Sequence, residues 1–137
     1  MRLFVDTSSL FKKYVDESGC EVFEKILSKA SEIAVSPVTW IEMNAAISRC
    51  LRSNVLTPEK TEWLRTEIKK DFAYFLLVVW NENLENKAVQ LIREHALKTM
   101  DAIQLASGIL SGAETFITSD HQLHRAAKKV IRHVRLV

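Results

Sequence analysis

Short apolar runs, each followed by a stretch with helical spacing, constrain this chain more than any other feature. Leu3–Val5, residues 33–35 (IAV), 75–80 (FLLVVW) and 115–118 (TFIT) are too short for buried helices and rich in β-branched or aromatic side chains. A last run, residues 131–137 (IRHVRLV), alternates and reads as a closing strand. Strands separated by helices imply right-handed βαβ units. The expected fold is therefore α/β, with three α/β/α layers around a mostly parallel sheet, in one domain spanning residues 1–137.

Start and stop signals place the helices. A short one follows the first strand through Tyr14. The stretch SGCE (Ser18 to Glu21) reads as a capping box opening a helix with Val22, Phe23, Ile26 and Leu27 inward. Ser36-Pro37 predicts a helix through about Arg52, and Thr57-Pro58 another through about Tyr74, with Leu64, Ile68 and Phe72 on one face. FLLVVW is continuous enough to predict a strand buried on both faces. Helices over 83–97 and 99–112 follow, the second closed by Gly112, and SDHQ (119–122) reads as a second capping box. Of Trp40, Trp63, Phe72, Tyr74 and Phe75, most belong in the core, leaving one or two for a binding face.

Charge is unevenly placed. The net charge is +2, but the 17 residues after Asp120 carry five Lys/Arg and no acid, which leaves residues 1–120 at −3. A basic tail of this kind points to a polyanionic partner. Cys20 and Cys50 lie far apart, without a CxxC or a Cys/His cluster, and read as free thiols. Asp6 interrupts the N-terminal apolar run, which argues against a signal peptide, and the longest apolar run (73–80) is far short of the ~20 residues a membrane helix needs. A cytoplasmic protein is expected.

Four acids stand in expensive places. Asp6 and Asp120 each follow a strand, at the edge where parallel sheets place their working crevice. Helix capping explains either one alone. Glu42 (VTWIEMNAAI) and Asp101 (MDAIQLASGIL) sit in apolar helices, with Arg49 and Lys98 the nearest cations along their own helices. A buried carboxylate costs several kcal/mol unless it is paired or liganded. An all-oxygen cluster suits Mg²⁺ or Mn²⁺, as one ion or two. Ser8 and Thr118 could orient such ligands through hydrogen bonds.

The segments LFVDTSSL, VTWIEMNAAI, KTMDAIQLASGI and TFITSDHQLHRAA together resemble the PIN-domain ribonucleases, especially the VapC-type toxins of toxin–antitoxin pairs. The resemblance spans essentially the whole chain. It implies a metal-dependent endoribonuclease with Asp6, Glu42, Asp101 and Asp120 as metal-binding and catalytic acids, and cleavage leaving a 3′-hydroxyl and a 5′-phosphate. It also implies a homodimer and a cognate antitoxin whose C-terminal segment covers the acidic pocket. Lys12, Lys13, Arg125, Lys128 and Lys129 would contact the RNA backbone. His121 and His124 read as exposed helix residues, with an approach to phosphate as the alternative. Haloacid-dehalogenase and receiver folds also place acids at strand ends, but position 8 is Ser where the first needs a second Asp, and TFITSD offers no Lys for the second. The rival of a different class is a non-catalytic RNA- or protein-binding module on the same fold.

Overall fold

The computed structural model describes residues 1–137. Five parallel strands, β1 (Arg2–Val5), β2 (Glu32–Val35), β3 (Leu76–Leu77), β4 (Thr115–Thr118) and β5 (Val134–Leu136), form one sheet in the order β3-β2-β1-β4-β5. The helices are α1 (Thr7–Leu10), extended by a 3₁₀ turn over Phe11–Lys13, α2 (Cys20–Leu27), α3 (Thr39–Arg52), α4 (Pro58–Phe72), α5 (Glu82–His95), α6 (Thr99–Leu110) and α7 (His121–Val130).

The strands have period two, so each sends neighbouring side chains to opposite layers. Phe4 and Phe116 pack with Leu84, Leu91, Leu105, Leu123 and Ala127 under α5, α6 and α7. Leu3, Val5 and Ile117 pack with Leu10, Phe23, Met43, Ile47, Leu64 and Ile68 under α1 to α4. Both faces of the central strands are therefore buried, which is why these strands carry no polar alternation. In the first layer the Phe4 and Phe116 rings stack with centroids 5.1 Å apart. Gly108 lets α6 approach them: a Cβ there would meet Phe116 at 2.4 and 2.6 Å.

Several sequence expectations change at the element ends. FLLVVW forms a strand only at Leu76–Leu77. It is the sheet edge, pairing with β2 alone; after one further bond, from Val78 N–H to the Val35 carbonyl at 3.0 Å, the run leaves the ladder, and Val79 and Trp80 are exposed. The SGCE box does not form: Gly19, at φ 92°, precedes α2 without a side-chain cap. Phe23 is buried there while Val22 faces out. In the second box the cap is Asp120, one residue later than Ser119, with its side chain accepting from Leu123 N–H. Helix α3 starts at Thr39, and Ser36 instead folds its hydroxyl inward to accept from Val38 N–H and pair with Ser107. Thr57 does cap α4, and Gly112 (φ 69°) does follow α6. Trp63 and Tyr74 are exposed, whereas Trp40, Phe72 and Phe75 pack on one another beside the second core layer.

Candidate active site

The chain builds β1, β2 and β3 in one direction across the sheet, then returns to add β4 on the other side of β1. The switch point between β1 and β4 is where such sheets open a crevice beyond their carboxyl ends. Asp6 and Asp120 flank it. The Asp6 N–H continues the ladder to the Ile117 carbonyl at 3.1 Å, which sets Asp6 beside Thr118.

A cleft of about 400 Å³ lies there, lined by Asp6, Glu42, Asp101 and Asp120. Four elements supply the four acids: the β1–α1 junction, the first turns of α3 and α6, and the β4–α7 junction.

Asp6 is buried, and both carboxylate oxygens are taken. Oδ1 accepts from Ser9 N–H at 2.9 Å and Ser9 Oγ–H at 2.8 Å, and Oδ2 accepts from Thr118 Oγ1–H at 2.6 Å. Ser8 Oγ lies 2.9 and 2.8 Å from the two oxygens. Burial raises the Asp6 pKa from 3.8 to about 6, and the hydrogen bonds from Thr118, Ser9 and Ser8 oppose part of that rise. Thr118 Oγ1 also accepts from Asp120 N–H at 3.0 Å, and Ser8 Oγ from Ser119 N–H at 3.0 Å. These hydroxyls tie the two strand-end acids into one unit.

Glu42 is not paired with Arg49. Its Oε1 accepts from Thr7 Oγ1–H at 3.0 Å and Gln104 Nε2–H at 2.6 Å. Asp101 is half-buried, and its pKa is raised by burial and then by the nearby Asp120 and Glu42 charges, with Lys98 opposing. Asp120 spends Oδ1 on capping α7.

Gln104 is the residue that sequence reasoning missed. Only 3 % exposed, it donates Nε2–H to Glu42 and Thr7, yet its Oε1 is buried without a partner. The available signal was spacing: Gln104 follows Asp101 by three residues, on the same helix face, within an otherwise apolar stretch.

The donor chemistry fits a hard divalent ion. Oxygens on Glu42, Asp101 and Asp120 remain outside the hydrogen bonds above, and like-charge crowding raises Asp101. No three His, Cys, Asp or Glu side chains converge closely enough to form a finished ligand cage. The acids ring the cleft instead, because Asp6 and Glu42 are turned toward hydroxyl and amide donors that offset their burial.

The lysines expected on RNA have internal partners. Lys12 donates to the Ser18 carbonyl and lies 3.8 Å from Glu17, and Lys13 pairs with Asp71. Arg125, Lys128 and Lys129 are exposed on α7 and form no ion pair within the chain. His121 is exposed and His124 half-buried on the same helix. No helix is long and apolar enough to cross a membrane.

A family model for the PIN domain matches residues 3–129. The chain belongs to the PIN-domain family. Ribonuclease VapC45 of Mycobacterium tuberculosis is 24% identical to this PIN domain over 127 residues, covering 91% of this chain and 88% of the relative. Among solved structures, VapBC2 from Rickettsia felis, bound to a DNA fragment from its promoter, superposes with TM-score 0.72 at 13% identity, covering 100% of this chain and 99% of that one. VapC20 of M. tuberculosis, described as a Sarcin-Ricin loop cleaving toxin, gives TM-score 0.68 at 15% identity over 90% of this chain and 94% of that one. These superpositions show the α/β/α fold at full length.

Proposed function

We propose that this PIN domain is a Mg²⁺- or Mn²⁺-dependent endoribonuclease, the toxin of a toxin–antitoxin pair. The observation that carries the reading is the ring of four carboxylates, from four separate elements, around one cleft at the sheet's switch point. The likeness to ribonuclease VapC45 and to VapC20, a Sarcin-Ricin loop cleaving toxin, supports the same reading. Glu42, Asp101 and Asp120, which keep free oxygens, would hold one or two ions, and Asp6 would join them through an oxygen that also accepts from Ser8, Ser9 or Thr118. A bound ion supplies positive charge for the scissile phosphate and acidifies a water.

The chain's own groups do the rest. Asp6, locked by Ser8, Ser9 and Thr118, fixes the floor of the cleft. Thr7 and Gln104 hold Glu42 in one orientation. Asp101 or Asp120 orients the attacking water. In the metal-free cleft burial, and then the Asp120 and Glu42 charges, raise the Asp101 pKa, and a cation held there would relieve the like-charge part of that rise. Exposed Arg125, Lys128 and Lys129 attract the RNA backbone, with Lys12 and Lys13 contributing only if their internal pairs open. Products carry a 3′-hydroxyl and a 5′-phosphate. A homodimer and an antitoxin segment over the cleft complete the proposal. Exposed Ile41, Val79, Trp80 and Met100 offer apolar surface for such partners.

The deciding experiment incubates purified protein with total RNA in Mg²⁺, in Mn²⁺ and in chelator, alongside Asp101→Asn. Cutting that requires the cation and is lost in the variant is expected. Cation-independent cutting, or full activity in Asp101→Asn, overturns the site. RNA binding with no turnover under any cation favours the binding-module reading.

A further inference from the structure

We propose that Arg49 is a substrate-binding residue of this cleft, holding the backbone phosphate next to the one being cut. The inference rests on the ribonuclease reading above and adds a specific contact to it.

Arg49 is the one cationic side chain lining a cleft that also holds Asp6, Glu17, Glu42, Asp101 and Asp120. Five acids share the cleft with it, yet it forms no ion pair or hydrogen bond with any of them, and it remains exposed. A guanidinium left unspent among carboxylates is available to an incoming anion. Its planar fork matches a phosphate's two free oxygens, a geometry that lysine lacks.

Helix geometry sets which phosphate. Glu42, Ala45, Ala46 and Arg49 fall at i, i+3, i+4 and i+7, so one face of α3 makes this wall of the cleft. Seven residues span about 10 Å along the helix axis. Arg49 therefore stands away from the Glu42 end, and its natural ligand is a flanking phosphate, not the reacting one. On this face of α3 the residues between the two are Ala45 and Ala46, whose methyl side chains are the smallest that could stand there beside an extended strand. The lysines nearest the cleft in sequence, Lys12 and Lys13, are held by Ser18, Glu17 and Asp71 and do not compete for this role.

The test uses full-length protein and a short RNA that the wild type cuts. A series of oligomers carries one uncharged methylphosphonate at each linkage flanking the cut. Binding is measured by fluorescence anisotropy across a salt series, in the inactive Asp101→Asn background. Arg49→Ala should weaken binding about tenfold and lower the salt slope by about 0.7, the value for one phosphate contact on a single strand. In the active protein KM should rise with kcat nearly unchanged. One methylphosphonate position should weaken wild-type binding and cost Arg49→Ala nothing further, and Arg49→Lys should restore the salt slope but only part of the affinity. An unchanged slope and affinity, or a methylphosphonate cost that is additive at every linkage, overturns the contact. A lowered melting temperature with an unchanged slope would mark Arg49 as structural and also overturns it. If the wild type cuts no RNA, the ribonuclease reading itself fails, which is a separate result from normal cutting with an indifferent Arg49.

Discussion

Replacing Asp6 by Asn in the metal-free protein tests the electrostatics of the cleft directly. Burial lifts the Asp6 pKa from 3.8 to about 6, net of the hydrogen bonds that oppose it. Since the folded-state value exceeds the unfolded one, the folded chain binds the extra proton between those two values. The Asp6 contribution to stability is thus greatest below pH 3.8 and is lost as pH rises through about 6. The whole displacement amounts to about 3 kcal/mol, at roughly 1.4 kcal/mol per tenfold change in equilibrium. Asn is a neutral isostere of the protonated acid. Its Oδ1 can keep the Ser9 N–H, and its amide N–H can face the Thr118 hydroxyl. The variant should match wild type near pH 4 and exceed it by about 3 kcal/mol at pH 8, or about 10 °C in melting temperature for a chain of this size. Chelator-treated wild type and variant are melted in parallel at pH 4, 6 and 8. A stability difference that does not change with pH, or one that turns against Asn as pH rises, would refute the claim that this carboxylate is held charged at a cost.

Further consequences concern the core and the supports of the site. Gly108→Ala forces a methyl into the stacked Phe116 and Phe4 rings. It should lower stability by about 2 kcal/mol despite Ala's better helix propensity, seen as a lower urea midpoint at unchanged m. Tyr14 Oη–H donates to Asp71 at 2.6 Å. Burial works against the Asp71 charge, but hydrogen bonds from Lys13 and Tyr14 hold its pKa below the usual value. Tyr14→Phe should therefore cost about 1–2 kcal/mol at pH 7, and the deficit should shrink as Asp71 protonates in acid, which urea melts at pH 7 and pH 3 can read. Gln104→Met removes a buried, unpartnered oxygen and also the donor that holds Glu42. Its melting temperature should be equal or higher while Mn²⁺ affinity, read by titration calorimetry, falls about tenfold, as when the support behind a metal ligand is lost. Equal Mn²⁺ affinity in wild type and variant would remove Gln104 from the site.

The sequence alone determined the class of fold and the four acids that line the cleft. Leu3–Val5 and residues 115–118 read as buried strands because each sets adjacent apolar side chains, Leu3-Phe4-Val5 and Phe116-Ile117, on the two faces of a sheet, a property local to a few residues. Asp6 and Asp120 stood out because each ends such a run, and Glu42 and Asp101 because their own helices offered no nearby cation that had to pair with them. Tertiary structure decided everything that depends on which distant segments meet. Residues 75–80 looked like a central strand, yet became a two-residue edge because only β2 lies beside them. Lys12 and Lys13 looked free for RNA until the fold brought Ser18, Glu17 and Asp71 to them. Gln104 is 62 residues from Glu42, and Thr118 is 112 from Asp6. Hydrophobic period and capping chemistry are written within a few residues, whereas the partner that satisfies a buried polar group is chosen only once the sheet order has closed the space around it.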